Sequence, residues 1–442
     1  MARDRAGGRS CAVGISPGEA DLSSTNVSTR LTVRERVWLP YEYIRTVGPL
    51  AGITVDGVRG ALIGLHRNDP THRAVSRLDR ARATWRHLDA AAFARFVEGS
   101  VTDAGDLDMF EASLRLQSEA RTDHPLRIMV GTDFVAIKFT HSYGDAGPVL
   151  VLLHELIKAA EEGRAASVRP YEPHRGALLR AWWEKIGSKR ANWKQGLSLP
   201  RPPRAGSGTT RPWKPDITWR TDRSADAMRK IREFRKVHAR GVSTTAIVFA
   251  AFTAALRDLG VDPNLGGGIF LADARRFLPN DVKIDSDFCM GMWLSPGDTT
   301  DPAAIDRVLK AETGFPRILT VMMIEEIKTL LSRSKGVPPA YPGEIVAAPQ
   351  ARITYSHQGR HDMLKDLPWA VEPAERRNIS VSTLCEPDGI ALGTAEMNGV
   401  LHLDAVFHAS TFDPEVMAKA LHMVLSDPAG LLGATPGGAA QG

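Results

Sequence analysis

Residues 134–160 read FVAIKFTHSYGDAGPVLVLLHELIKAA. The apolar, β-branched run that ends at His141 predicts a strand. SYGDAG is then a loop, and Pro148 opens a segment with leucines at helical spacing, so the order is strand, tight loop, helix. His141 stands at the strand's end, with Asp145 four residues on in a Gly-flanked loop. An imidazole held there can face a cavity as a general base while the carboxylate orients the loop. An ordinary βα turn accommodates the same two residues, so this pair alone does not decide the chemistry.

The 442-residue chain is too long for one compact core and suits two lobes of about 200 residues each. Its 43% hydrophobic and 24% charged residues are ordinary for a globular protein with a sizeable core. The longest apolar run, TTAIVFAAFTAAL at 244–256, is too short and too amphipathic to span a bilayer. The start, MARDRAGGRSCAVG, has no apolar leader region, and a cytoplasmic protein is expected. Cys11, Cys289 and Cys385 are odd in number and far apart, which indicates neither a disulfide framework nor a zinc knuckle. Net charge is +5, yet residues 161–230 carry 16 Lys/Arg against 7 Asp/Glu. That segment is either a solvated basic stretch or one that attracts phosphates or an acidic partner. No nucleic-acid-binding motif accompanies it.

Composition suggests five parts. Residues 1–30 read as a disordered arm, 31–198 as an N-terminal lobe, and 199–215, rich in Pro, Gly and Ser, as a linker. Residues 216–426 form the C-terminal lobe and 427–442 a loose tail. In the first lobe, DGVRGALIGLHRNDP predicts a helix stopped by Asn-Asp-Pro, DAAAFARFVEGS a helix capped by Asp89, and HPLRIMVGTDFVAIKFTH a hairpin. In the second, helices at SADAMRKIREFRKV and at VSTTAIVFAAFTAAL (capped near Ser243) precede a series of strands. The last helix starts at Asp413-Pro414. Helices and strands mix in both lobes, and the fold class is α/β with mixed sheets. GGG at 266–268 has no following helix or lysine and is not a phosphate loop.

These residues carry a resemblance to the chloramphenicol-acetyltransferase-like superfamily. It takes in stand-alone condensation domains of nonribosomal peptide synthesis, plant BAHD acyltransferases and polyketide-associated acyltransferases. The shared HxxxDG motif stands here as His141-Ser142-Tyr143-Gly144-Asp145-Ala146-Gly147. LADARRFLP (271–279) resembles the D-x-R segment, DFCMG (287–291) the BAHD DFGWG loop, and ITYSHQGRHD (353–362) a late strand of condensation domains. Two positions depart from the pattern. Thr140 precedes His141 where condensation domains carry a second histidine, and Ala146 replaces the motif glycine. If position 146 needs positive φ, alanine costs roughly 1 kcal/mol there.

The resemblance implies two lobes, each a mixed sheet flanked by helices, with a tunnel between them. It implies acyl transfer from a thioester, on coenzyme A or a carrier-protein phosphopantetheine, to an amine or alcohol, with no bound cofactor. His141 is then the general base. Asp145 orients the loop by pairing with an arginine of the second lobe, Arg275 by strand alternation or else Arg276. Tyr143, Gly144, Ala146, Gly147, Asp287, Gly291, Trp293 and Ser356 are expected in the motif loop and along the tunnel. A monomer without nucleic-acid or membrane partners is expected. Two other readings stand beside acyl transfer in natural-product biosynthesis: a catalytically silent homologue that binds a carrier or synthase partner, and a cyclisation or epimerisation using the same base. His402, Asp404 and His408 share one strand face and could ligate a metal, although a polar face beside the tunnel or solvent explains them as well. His66 and His72 bracket a turn and read as surface residues.

Overall fold

The computed structural model describes residues 27–200, 202, 208–332 and 340–433. Strand β1 (Ser28–Arg30) leads into helix α1 (Val33–Trp38), which begins with a capping box between Thr32 and Glu35. Next come β2 (Glu42–Gly48), α2 (Val55–Asn68), β3 (Arg77–Asp79), β4 (Thr84–Arg86) and α3 (Ala90–Ser100). Thr54 caps α2 and Asp89 caps α3, each accepting a backbone N–H of the first turn. β5 (Val101–Asp103), α4 (Met109–Ser118), β6 (Leu126–Val130), β7 (Val135–Thr140) and α5 (Ala146–Glu162) complete the first lobe. Its sheet has the order β14-β2-β7-β6-β5, with β6 and β7 forming the expected hairpin. Strand β14 (Arg377–Ser382) comes from the far end of the chain.

The connecting segment holds α6 (Ala177–Trp182), a π-helical turn (Trp183–Gly187) and α7 (Arg190–Leu197). β8 (Thr210–Pro212), β9 (Ile217–Ser224), α8 (Ala227–Val237) and α9 (Thr244–Asp258) follow. Then come β10 (Gly268–Asp273), β11 (Cys289–Leu294), α10 (Pro302–Gly314), α11 (Arg317–Leu331) and β12 (Glu344–Val346). β13 (Arg352–Arg360), β14, β15 (Gly389–Met397), β16 (Val400–His408), α12 (Pro414–Ser426) and α13 (Pro428–Leu431) close the chain. The second sheet, β11-β10-β13-β15-β16-β9, is mixed: β13 runs parallel to β10 and β15, and the other pairs are antiparallel. Helix α9, capped by Ser243 and buried over nearly its whole length, is the axis of the larger core.

Several boundaries differ from the composition-based division. Ser28–Arg30 pairs with β4 instead of belonging to a disordered arm; residues 1–26 lie outside the described residues. Within 199–215, Thr210–Pro212 pairs with β12, so that stretch is in part a strand. Ala177, Leu178 and Ala181, assigned to the first lobe, pack in the core of the second. Asp427 onward starts with the short helix α13, and 434–442 lie outside the described residues. The largest difference is β14, whose Arg377–Ser382 pairs antiparallel with β2 in the first lobe's sheet. Ile379 and Val381 drive this exchange, being buried with Ile44 and Ala136 of that sheet against Trp219 and Val406 of the other. Histidines 66 and 72 are buried, not superficial: His66 stacks on Phe93 and His72 Nδ1 accepts from the Ala74 amide at 3.2 Å.

Candidate active site

His141 follows β7 directly, and its backbone N–H donates to the Tyr41 carbonyl at 2.9 Å, which ties the loop to the start of β2. Trp38 stacks on the imidazole at 4.7 Å between centroids and Tyr43 approaches it edge-on at 5.9 Å. Nδ1 lies 2.8 Å from Oδ2 of Asp287, a carboxylate only 2% exposed. That distance suits a hydrogen bond but the angle does not, and neither atom has another hydrogen-bond partner among the described residues, so the two groups meet in a close off-axis contact. Nδ1 is buried, while the His141 side chain as a whole keeps 20% exposure.

Helix α1 builds much of this arrangement. Arg34 and Trp38, four residues apart, lie on one face. Trp38 covers His141, while Arg34 donates from Nε to the Asp287 carbonyl and from Nη2 to the Cys289 carbonyl, both at 3.1 Å. Burial lowers the Arg34 pKa, with Asp287 the foremost group opposing the shift. Ser142 anchors the motif loop to α1 by donating to the Glu35 carbonyl at 2.8 Å.

Asp145 has a different set of partners. Its Oδ1 caps α5 by accepting the Gly147 N–H, and its Oδ2 lies 2.7 Å from Arg275 Nη2. The same Oδ2 accepts from the Phe288 amide at 3.2 Å and the Cys289 thiol at 3.4 Å. Arg275 also donates to the Ile284 and Ser286 carbonyls and pairs with Asp273. Burial alone would lower its pKa, but the carboxylates of Asp145 and Asp273 outweigh it and hold the guanidinium above its ordinary value. Strand alternation is not the reason, because Arg275–Phe277 forms a 3₁₀ turn. Arg276 turns back onto the Asp273 carbonyl instead.

Ala146 opens α5 and has no positive φ, so the doubt over the missing motif glycine falls away. Gly144 is the constrained position: a Cβ there would sit 3.0 Å from the Asp285 carbonyl and 3.2 Å from Pro148. Tyr143 does not line a tunnel. Its ring is buried in the first lobe's core beside His72, with Arg73 above it at 4.9 Å, and burial pushes its hydroxyl to about 12. Gly291 and Trp293 line a cavity of about 420 Å³ between β10–β11 and α11. They share a strand face with Cys289, so this cavity begins within about 7 Å of the Asp145 tie by strand rise. An open cleft of about 600 Å³ at 105–110 and 132–134 contains none of the motif residues. Ser356 is half-buried on β13, two residues before Gln358, which accepts from Arg45 and donates to Tyr43.

Among the described residues, one trio of potential ligands has its ligand atoms within 4.8 Å of one another: Asp145, Asp287 and Cys289. Burial, reinforced by both carboxylates, raises the Cys289 thiol well above its ordinary value, which keeps it a protonated donor to Asp145. As the three groups stand, Asp145 and Cys289 form part of a hydrogen-bonded tie between the lobes. His402, Asp404 and His408 are all buried, so their strand face meets neither tunnel nor solvent, and they do not converge as ligands. Two contributors were absent from the sequence reading: helix α1 and the Asp287–His141 contact. The first had a signal, the Thr32-x-x-Glu35 capping box with Arg34 and Trp38 on one face. The second had none, since 146 residues separate the partners.

The fold is that of the chloramphenicol-acetyltransferase-like, condensation-type acyltransferases. Trichothecene 15-O-acetyltransferase of Fusarium sporotrichioides superimposes over 92% of this chain and 95% of its own, with TM-score 0.61 and 13% identity. The epimerization domain of the third module of tyrocidine synthetase B matches over 91% and 93%, with TM-score 0.55 and 12% identity. Polyketide synthase associated protein 5 of Mycobacterium tuberculosis matches over 91% and 98%, with TM-score 0.51 and 15% identity. No protein-family model and no curated protein sequence matches the chain.

Proposed function

We propose that the chain is an acyltransferase of natural-product biosynthesis, forming an ester or amide from a thioester on coenzyme A or a carrier protein. The observation that carries this reading is the seating of His141: Trp38 stacks on the ring and Nδ1 faces the buried Asp287 carboxylate, while the side chain keeps 20% exposure. In the proposed reaction, Nε2 takes the proton of the attacking hydroxyl or amine as its oxygen or nitrogen bonds to the acyl carbon. The C–S bond then breaks, and the same proton passes to the departing thiolate. Asp287 lies against Nδ1 throughout, and proton transfer of this kind contributes typically about 10²–10⁴ in rate. Asp145 and Arg275 touch no reacting atom in this scheme; they are positioning residues that lock the motif loop to the DFCMG loop.

The test offers purified protein acyl-CoA and acyl-carrier donors with a panel of amines and alcohols, beside His141→Ala and Asp287→Asn. Thioester-dependent product formation is expected, lowered at least about 100-fold in His141→Ala, with unchanged circular dichroism. Undiminished turnover in that variant would remove His141 from the chemistry. Carrier binding without turnover in any donor–acceptor pair would favour the silent, partner-binding reading.

A further inference from the structure

We propose that the helical segment 177–197 is a membrane-surface contact, seating the protein on an anionic lipid interface beside the mouth of the 420 Å³ cavity. The proposal does not depend on acyl transfer and runs against the sequence-based expectation of no membrane partner. Four large apolar side chains stand outward here: Leu179 at 55% exposure, Trp183 at 58%, Trp193 at 46% and Leu197 at 56%. Leu179 and Trp183 are four residues apart, as are Trp193 and Leu197, so each pair shares a helix face. The pairs join at Gly187. A Cβ on that glycine would lie 2.5 Å from Trp183 Cε3, and Trp193 Nε1 donates to the Gly187 carbonyl at 3.0 Å. They therefore form one stripe instead of scattered surface residues.

The inner face of the segment is already used. Ile186 is buried, and Trp182 Nε1 donates to Thr320 of α11. Around the outer stripe, residues 175–197 carry six cations (Arg175, Arg180, Lys185, Lys189, Arg190, Lys194) against one acid, Glu184. Arg180 pairs with Glu184 and Asp281, whereas Lys189, Arg190 and Lys194 are exposed and make no ion pair among the described residues.

Tryptophan and leucine ringed by free cations is the composition that settles at the headgroup–acyl boundary of anionic bilayers. Four side chains offer an apolar patch of a few hundred Å². A stable protein interface takes roughly 800 Å² from each partner. A second copy of the chain would bring the same cations face to face in a two-fold contact, which disfavours a dimer. The place of the stripe also fits. Leu197 precedes Leu199 and Pro200 on the cavity wall, and Arg317 of that wall donates to the Gln195 carbonyl. An apolar molecule held at the bilayer edge would thus lie next to the cavity that Gly291 and Trp293 line.

The experiment is co-sedimentation of the full chain with vesicles of phosphatidylglycerol and phosphatidylcholine, against phosphatidylcholine alone, at low and high salt. Binding is expected to the anionic vesicles, with a blue shift of tryptophan emission, and to weaken at high salt. Trp183→Ser/Trp193→Ser and, separately, Lys189→Glu/Arg190→Glu/Lys194→Glu should each lower partitioning at least about tenfold. The second variant alters exposed residues only, so a folding defect in the first leaves the test intact. The proposal is overturned by no preference for anionic vesicles, or by binding that the charge reversals leave unchanged. It is equally overturned if the stripe binds only an acidic acyl carrier protein or a second copy of the chain, seen by light scattering, and no vesicle.

Discussion

Replacing Asp145 is expected to loosen the lobe interface by an amount that its contacts allow to be worked out. Asp145→Ala removes the α5 cap, the ion pair to Arg275 at 2.7 Å and the acceptor for the Phe288 amide. A lost cap costs about 1 kcal/mol. A hydrogen bond to a charged group contributes about 1.5–3 kcal/mol, and an orphaned buried amide costs about 1–3 kcal/mol. These terms share one carboxylate and do not add in full. Arg275 is a quarter exposed and keeps Asp273 and two carbonyls, which holds the ionic part at its lower end. About 3 kcal/mol is therefore expected for Asp145→Ala, and about 1–2 kcal/mol for Asp145→Asn, which keeps a cap and an acceptor. Combining Asp145→Asn with Arg275→Gln in a double-mutant cycle should give a coupling of about 1–2 kcal/mol. Urea unfolding followed by tryptophan fluorescence measures all four proteins. A coupling below about 0.5 kcal/mol would refute the view that this pair ties the lobes together.

Two further outcomes follow from single residues. Burial raises the Asp404 carboxyl to about 7 from 3.8. Its contribution to stability is complete below the unfolded value and is lost as pH rises through about 7. Asp404→Asn should thus gain on the wild type by on the order of 2–4 kcal/mol between pH 4 and pH 8. His361 and His402, depressed to about 3 by burial, act in the opposite sense as pH falls below 6.5, but equally in both proteins. A difference that stays flat across this range in denaturant titrations would count against a buried, ionising Asp404. Ala146→Gly restores the motif residue at the first position of α5, where backbone entropy is the main change. Stability should fall by about 1 kcal/mol or less with turnover unaltered, and a gain in activity on that substitution would show that alanine distorts the loop.

Much of the local structure was legible from the chain because its signals lie within a few residues of one another. Asp89, Ser243 and Asp413 cap the helices they were expected to cap, since a side-chain oxygen reaches only the next turn. The strand–loop–helix at 134–160 follows from periodicity and Pro148 in the same way. Errors arose where the deciding contact is remote. Tyr143 reads as a tunnel residue from its place in the motif, but Arg73 and the first lobe's core claim its ring. His402 and Asp404 read as a polar strand face, but β14 crosses from the other lobe and covers that side.

Residues 134–160 and the three stretches that follow them are sufficient, as sequence, to define a two-lobed acyltransferase-like fold and to single out His141 and Asp145. Their separation of four residues does not say which carboxylate serves the histidine. Tertiary structure decides that: Asp145 turns to Arg275 and caps its own helix, while Asp287, from the second lobe, reaches Nδ1. Asp145 uses Oδ1 on the Gly147 amide and Oδ2 on Arg275, the Phe288 amide and the Cys289 thiol, so neither oxygen is turned to the ring four residues earlier. The partner of His141 must therefore come from across the interface, a pairing that spacing along the chain does not encode.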